Sequence, residues 1–283
     1  MLVAFRLYVF TPGTMNEEKI IVSMTSWPPR YQSAAIAMKS IVQQCDEGNL
    51  HDRMKFVLVL SKDECCSTYA RKEAYELMDK MEALGVEIII DKGNIRSHKK
   101  LIPTLEKYTD NPILVVDDDI QQERGWLRTF IADHDKHPDE IIYGNATSSI
   151  KVDGDKIIED RGAVAQILSK PGQLSIDLKP ANGAAGTLYP ANNFTDGKFF
   201  DRELFMRVSP TSDETWQWAF AVIGGKQYRC LSAHNIPNTI GADQQHALYN
   251  INRYKYNEIH NAIADAIPLY KERLIERLAT IKN

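Results

Sequence analysis

Three consecutive carboxylates, Asp117-Asp118-Asp119, follow directly on four apolar residues, Ile113-Leu114-Val115-Val116. Asn111-Pro112 opens the run as a turn. The β-branched composition then predicts a strand buried on both faces, as in a parallel sheet. Ligands of open α/β sheets bind in the crevice beyond the carboxyl ends of such strands. Adjacent carboxylates repel one another and are relieved by a cation. Magnesium and manganese prefer oxygen ligands and share them with substrate phosphates. The run is therefore a candidate site for a divalent metal holding a phosphorylated ligand. A D-x-D alone is also what a solvated acidic turn looks like; the buried strand before it separates the two readings. Strand alternation would turn Asp118 away from Asp117 and Asp119.

Two further clusters fit the same chemistry. Arg96, Lys99 and Lys100 precede the acidic strand by about 20 residues and fall in a loop expected at the same sheet edge, where cations suit a diphosphate. Read alone, they are equally a solvated helix start. Asp213 and Glu214 open an aromatic helix (Trp216, Trp218, Phe220). Acids there serve the helix dipole. Against tryptophan rings a carboxylate also loses hydration, which raises its pKa toward that of a general base. His234 is a candidate additional metal ligand. Gly183 and Gly186 would allow close backbone approach to a ligand.

Other chemistries fail on spacing. There is no G-x-G-x-x-G after the first strand, no Walker A and no G-x-S-x-G around Ser26. Haloacid-dehalogenase-type phosphatases place D-x-D on the first strand with Thr or Val four residues later, whereas this run is on the fourth strand and the residue is Gln121. A response-regulator acidic pocket also needs the first strand.

The elements that must position these residues alternate. Strands are expected at 19–24, 55–60, 86–90 and 112–116, with helices at about 31–45, 63–84 and beginning near Pro103. That β-α-β-α-β-α-β order predicts a parallel sheet with right-handed crossovers. Beyond Trp126 the alternation weakens. A helix at about 124–136 and a strand at 141–143 lead into hairpins or loops over 144–180. A short strand near 187, helices at 201–208 and from Ser212 as N-cap, and a strand at 228–231 follow. The tail 257–282 reads as an amphipathic helix interrupted by Pro268, docked on the domain, on a membrane or on a second subunit, its balanced charges pointing to docking. The 283 residues, net charge of −4 and pI of about 6 fit one large soluble α/β domain or two small ones and argue against a nucleic-acid partner. Four cysteines without C-x-x-C spacing read as reduced thiols. Residues 1–10 are apolar but broken by Arg6 and too short to span a bilayer, so 1–18 reads as an extension.

In order along the chain, the blocks Ile21–Arg30, Ile95–Pro103, Val115–Ile120, Gly186–Pro190 and Asp213–Ala219 resemble bacterial glycosyltransferases of the GT-A fold, close to family 2, from polysaccharide-assembly loci. The resemblance covers about residues 19–255. It implies an α/β, Rossmann-like single domain with a central, mostly parallel sheet flanked by helices. The domain would span 19–240, with a nucleotide-binding half at 19–123 and an acceptor half at 124–240, followed by a helical tail at 241–283. It implies a UDP-linked nucleotide-sugar donor, a divalent metal (manganese or magnesium) and a glycan or lipid-linked acceptor. Thr25, Ser26 and Arg30 would line the nucleotide pocket and Asp91 would touch the base. Asp117 would face the ribose or sugar, and Asp119 the metal. Asp213 and Glu214 match the family's catalytic base, and the reaction would invert the anomeric centre. The setting would be cytoplasmic, with possible contact at the inner face of the plasma membrane. A non-catalytic nucleotide- or sugar-binding protein is the alternative.

Overall fold

The computed structural model describes residues 19–144, 146–160, 167–168, 170–175, 178–180, 185–233, 238–240 and 247–280. The extension 1–18, Gly183 and His234 lie outside them.

Strand β1 (Ile20–Thr25) runs through a 3-10 turn at Pro28–Arg30 into α1 (Tyr31–Gly48). Strand β2 (Met54–Ser61) leads to a short α2 (Lys62–Cys65) and to α3 (Arg71–Ala83). Strand β3 (Glu87–Asp91) leads to a 3-10 turn at Arg96–Lys100 and to α4 (Ile102–Lys107), with Pro103 in its first turn as expected. Strand β4 (Ile113–Val116) completes the alternating half. The second half opens with β5 (Ile120–Gln121), α5 (Trp126–Lys136) and β6 (Ile141–Tyr143). A hairpin of β7 (Ala146–Asp153) and β8 (Lys156–Asp160) follows, turning at Asp153–Gly154. Short strands β9 (Ile167–Leu168), β10 (Leu174–Ser175), β11 (Leu178–Pro180) and β12 (Thr187–Tyr189) come next. Then come α6 (Arg202–Val208), α7 (Asp213–Ile223), β13 (Tyr228–Cys230) and β14 (Asn238–Thr239). The chain ends in α8 (Leu248–Asn252), α9 (Tyr256–Ala266) and α10 (Pro268–Ala279).

The main sheet has the order β10-β13-β6-β12-β4-β1-β2-β3. Strands β4, β1, β2 and β3 are parallel, and β12 runs antiparallel between β4 and β6. The expected α/β architecture is therefore present, with β12 and the edge strand β10 running against the others. Strand alternation divides two cores. Ile21, Val57, Ile113 and Val115 face the side covered by α4, α6, α7, α9 and α10. Ile20, Val22, Leu58, Leu114 and Val116 face α1, α3 and α5. Both faces are buried, which is why these strands read as long apolar runs.

Two elements differ from the sequence expectation. The single helix at 63–84 is two. Ser61 caps α2, its hydroxyl accepting from the Glu64 N–H and donating to the Glu64 carboxylate, and the Ser67 hydroxyl accepts the Ala70 N–H, so the helix stops and restarts. Ser212 does not cap α7 with its side chain; its hydroxyl pairs with that of Thr215. The tail breaks at Pro268 as expected, and this residue opens the second of its two helices. Its residues Ile259, Ile263, Tyr270 and Leu274 join the main core. The Asn261 carboxamide pairs with both the N–H and the carbonyl of Ile157, covering the open edge of β8. Beneath it, fully buried Glu159 meets Lys179, His260 and Ser148, and His260 meets Tyr270. No helix among the described residues is long and apolar enough to cross a membrane. Among the described residues no disulfide joins any of the four cysteines.

Candidate active site

A cavity of about 730 Å³ opens at the carboxyl edge of the parallel strands. Its lining comes from the ends of β1 (Thr25, Ser26) and β4 (Asp117, Asp118, Asp119), from the segment after β3 (Asn94, Arg96, Ser97, Lys99, Lys100) and from the start of α7 (Asp213, Glu214). Segments distant in the chain meet here because the strand ends of a parallel sheet share one edge.

Strand β4 ends at Val116, so the three aspartates lie in the turn beyond it and the alternation expected of them does not apply. All three line the cavity. Asp118 is the innermost: the Ser26 hydroxyl donates to it at 2.6 Å and the Arg30 guanidinium at 3.1 Å. Burial, opposed by Arg30 and Ser26, pushes its pKa up to about 6. Arg30 also reaches Asp119 at 3.0 Å. Asp117, whose side chain is 28% exposed, meets the Lys100 ammonium at 2.9 Å.

Lys100 connects the two acidic clusters. Its ammonium lies 2.9 Å from Asp117 and 3.2 Å from Asp213, with the side chain only 7% exposed. Burial alone would raise the pKa of Asp213, but Lys100 and His98 override it and hold this carboxyl below its ordinary range. Gln217, itself held by the Tyr189 hydroxyl, donates to the same carboxylate. Asp213 is thus buried and fixed, whereas its neighbour Glu214 is only partly buried on the cavity wall.

The remaining cations differ in use. Lys99 is buried against Glu64, which also receives Ser61 and Asn94. Arg96 is exposed at the rim and has no ion pair among the described residues. Its backbone is left-handed (φ 53°), tied by its N–H to the Asn94 side chain; such strain persists where the surroundings impose it. Thr25 lines the cavity but donates its hydroxyl to the Val59 carbonyl.

Asp91, expected in the nucleotide pocket, is not brought into the cavity. Arg202 from α6 donates to both of its oxygens, at 2.9 and 2.8 Å. Gly186 does not approach the cavity either. Its φ of 86° and its packing serve Trp126: a Cβ there would sit 2.6 Å from the indole ring. The sequence reading missed Glu64, Asn94, Thr211, Asn252 and Tyr256, which also line the cavity. The S-x-x-E capping pattern was the one available signal for Glu64; the others carry no motif.

The donor set suits a hard divalent cation. Six carboxylates (Glu64, Asp117, Asp118, Asp119, Asp213, Glu214) face four cations (Arg30, Arg96, Lys99, Lys100), an excess of two negative charges. A nucleoside diphosphate would meet repulsion there unless a cation came with it. Among the described residues no three His, Cys, Asp or Glu side chains converge as a metal cage. Asp117 and Asp119 could hold such a cation with further ligands from a phosphate and water, the usual habit of magnesium.

No family model matches the sequence, and neither does any curated protein. Solved structures do match in shape. S. aureus TarS, residues 1–349, superposes with a TM-score of 0.53 at 15% identity over 92% of this chain and 70% of that one. A longer TarS structure gives 0.52 at 13%, over 87% of this chain and 42% of that one. A 4-diphosphocytidyl-2C-methyl-D-erythritol synthase from Anaerococcus prevotii gives 0.46 at 11%, over 85% and 99%. The fold is of the GT-A type.

Proposed function

We propose that the protein is a metal-dependent glycosyltransferase that moves a sugar from a nucleotide-sugar donor to a hydroxyl of a glycan or lipid-linked acceptor, with inversion. One observation carries this reading: the Asp117–Asp119 turn and the acidic start of α7 line a single cavity at the carboxyl edge of a GT-A-type sheet. Ser26 and Arg30 fix Asp118, which positions Asp117 and Asp119 to carry a divalent cation. Such a cation, when bound, supplies Lewis-acid stabilisation of the departing diphosphate. Arg96 at the rim is placed to pair with a phosphate, and Lys100 adds positive charge beside Asp117.

Glu214 is the base in this reading. A base works best with a pKa near the operating pH, and Lys100 holds Asp213 low. Glu214 takes the acceptor's hydroxyl proton, and that oxygen attacks the anomeric carbon. The carbon–phosphate oxygen bond breaks, and the nucleoside diphosphate leaves with its electron pair. Asp213 positions Lys100 and the start of α7. Glu214→Gln is expected to cut transfer at least about 100-fold while nucleotide affinity stays within about twofold. Unchanged turnover in Glu214→Gln would reject the assignment. A protein that binds nucleotide sugars but turns over none would instead be a binding module.

A further inference from the structure

The cavity has a wall that neither the acidic turn nor the base explains. It is supplied by the C-terminal segment, and its most enclosed polar residue is Asn252 at the end of α8, 5% exposed. The Asn252 carboxamide N–H donates to the Thr211 carbonyl at 2.6 Å, two residues before α7 begins. That bond fixes which way the carboxamide points, since the reversed side chain would set oxygen against oxygen. Its oxygen is left buried without a hydrogen-bond partner among the described residues. An unsatisfied buried acceptor is costly, and one on a residue that lines a cavity can be satisfied by a ligand's donor. A carboxamide oxygen only accepts, so its complement is a hydrogen-bond donor. Of the groups a nucleotide sugar and its acceptor carry, ionised phosphates cannot donate, whereas every ring hydroxyl can.

Resting on the glycosyltransferase reading, we propose that Asn252 reads a sugar: its carboxamide oxygen accepts a hydrogen bond from a ring hydroxyl of the donor's or the acceptor's sugar. The same residue ties that sugar to α7, because its amide holds the Thr211 carbonyl just ahead of Asp213 and Glu214. The buried oxygen would disfavour a sugar lacking the matching hydroxyl, since a missing partner leaves it unpaired.

The test is calorimetric titration of the full chain with manganese, using UDP, UDP-glucose, UDP-N-acetylglucosamine and, with UDP already bound, methyl β-glucoside. The variants are Asn252→Leu and the smaller Asn252→Ser, each with its melting temperature. The expected result is UDP affinity unchanged, with sugar-dependent affinity reduced about ten- to hundredfold. Loss of the gain of a UDP-sugar over UDP assigns the hydroxyl to the donor; loss of methyl glucoside binding assigns it to the acceptor. If both sugar-dependent gains persist in the variants, the inference is overturned. It is overturned too if UDP affinity and melting temperature fall together with the sugar term, as a purely structural role requires, or if the wild type gains nothing from any sugar. A wild type that binds no nucleotide refutes the proposed function first.

Discussion

Replacing Lys100 with methionine tests how the two acidic clusters are held. The Lys100 ammonium is about equally close to Asp117 and Asp213, and both Lys100 and Asp213 are nearly sealed from water. At an effective dielectric of about 20, each contact near 3 Å is worth about 5 kcal/mol before desolvation is subtracted. Burying the ammonium offsets much of that gain. Removing it, however, leaves Asp213 buried and uncompensated, while Asp117, more exposed, is partly relieved by solvent. Lys100→Met is therefore expected to cost about 3–5 kcal/mol at neutral pH. The pH dependence follows from the same contacts. In the wild type Asp213 is held below its ordinary value, so its contribution is present at neutral pH and lost only as pH falls through the carboxylate range. Without Lys100, burial dominates and the folded-state value rises above the unfolded one. The variant's deficit then shrinks as pH falls and Asp213 takes up a proton. Urea titrations at pH 7.5 and pH 5 read both quantities, and Lys100→Met/Asp213→Asn should recover more than about 1 kcal/mol of the loss. A neutral-pH loss under about 1 kcal/mol, or an equal loss at both pH values, would refute the reasoning.

Two other expectations concern stability. Asp118 is held up at about 6 by burial; a carboxyl raised on folding lowers stability as pH rises from about 4 to about 6, by about 3 kcal/mol, and Asp118→Asn should remove that decline in urea titrations across pH 4–7. Gly186→Ala should cost about 2 kcal/mol or more by denaturation, because the left-handed backbone and the contact with Trp126 both oppose a Cβ; a neutral result would contradict the packing described.

Much of the fold was legible because strands buried on both faces leave long apolar runs, as at 20–22, 56–60 and 113–116. The carboxyl-edge placement of Asp117–Asp119 and Lys100 followed from the β-α alternation, whereas Asp213, beyond the alternating half, was tied to the site only by the family resemblance. What was not legible depends on contacts distant in sequence. Arg202 takes Asp91, 111 residues away, and nothing local to Asp91 announces it. Gly186 reads the same whether a ligand or Trp126 lies above it. Thr211, Asn252 and Tyr256 enter the cavity because the tail folds back onto α7, a docking that an amphipathic pattern allows but does not direct.

The central claim is that this cavity binds a nucleotide sugar together with a divalent metal, through Asp119 and its neighbours. Thermal-shift titration with a panel of nucleotide sugars, with and without manganese, tests it most directly, since a ligand of the folded state raises the melting temperature. The account predicts a shift by at least one nucleotide sugar that requires manganese and disappears with a chelator or in Asp119→Asn. An equal shift with and without manganese, or none from any nucleotide sugar, would contradict it.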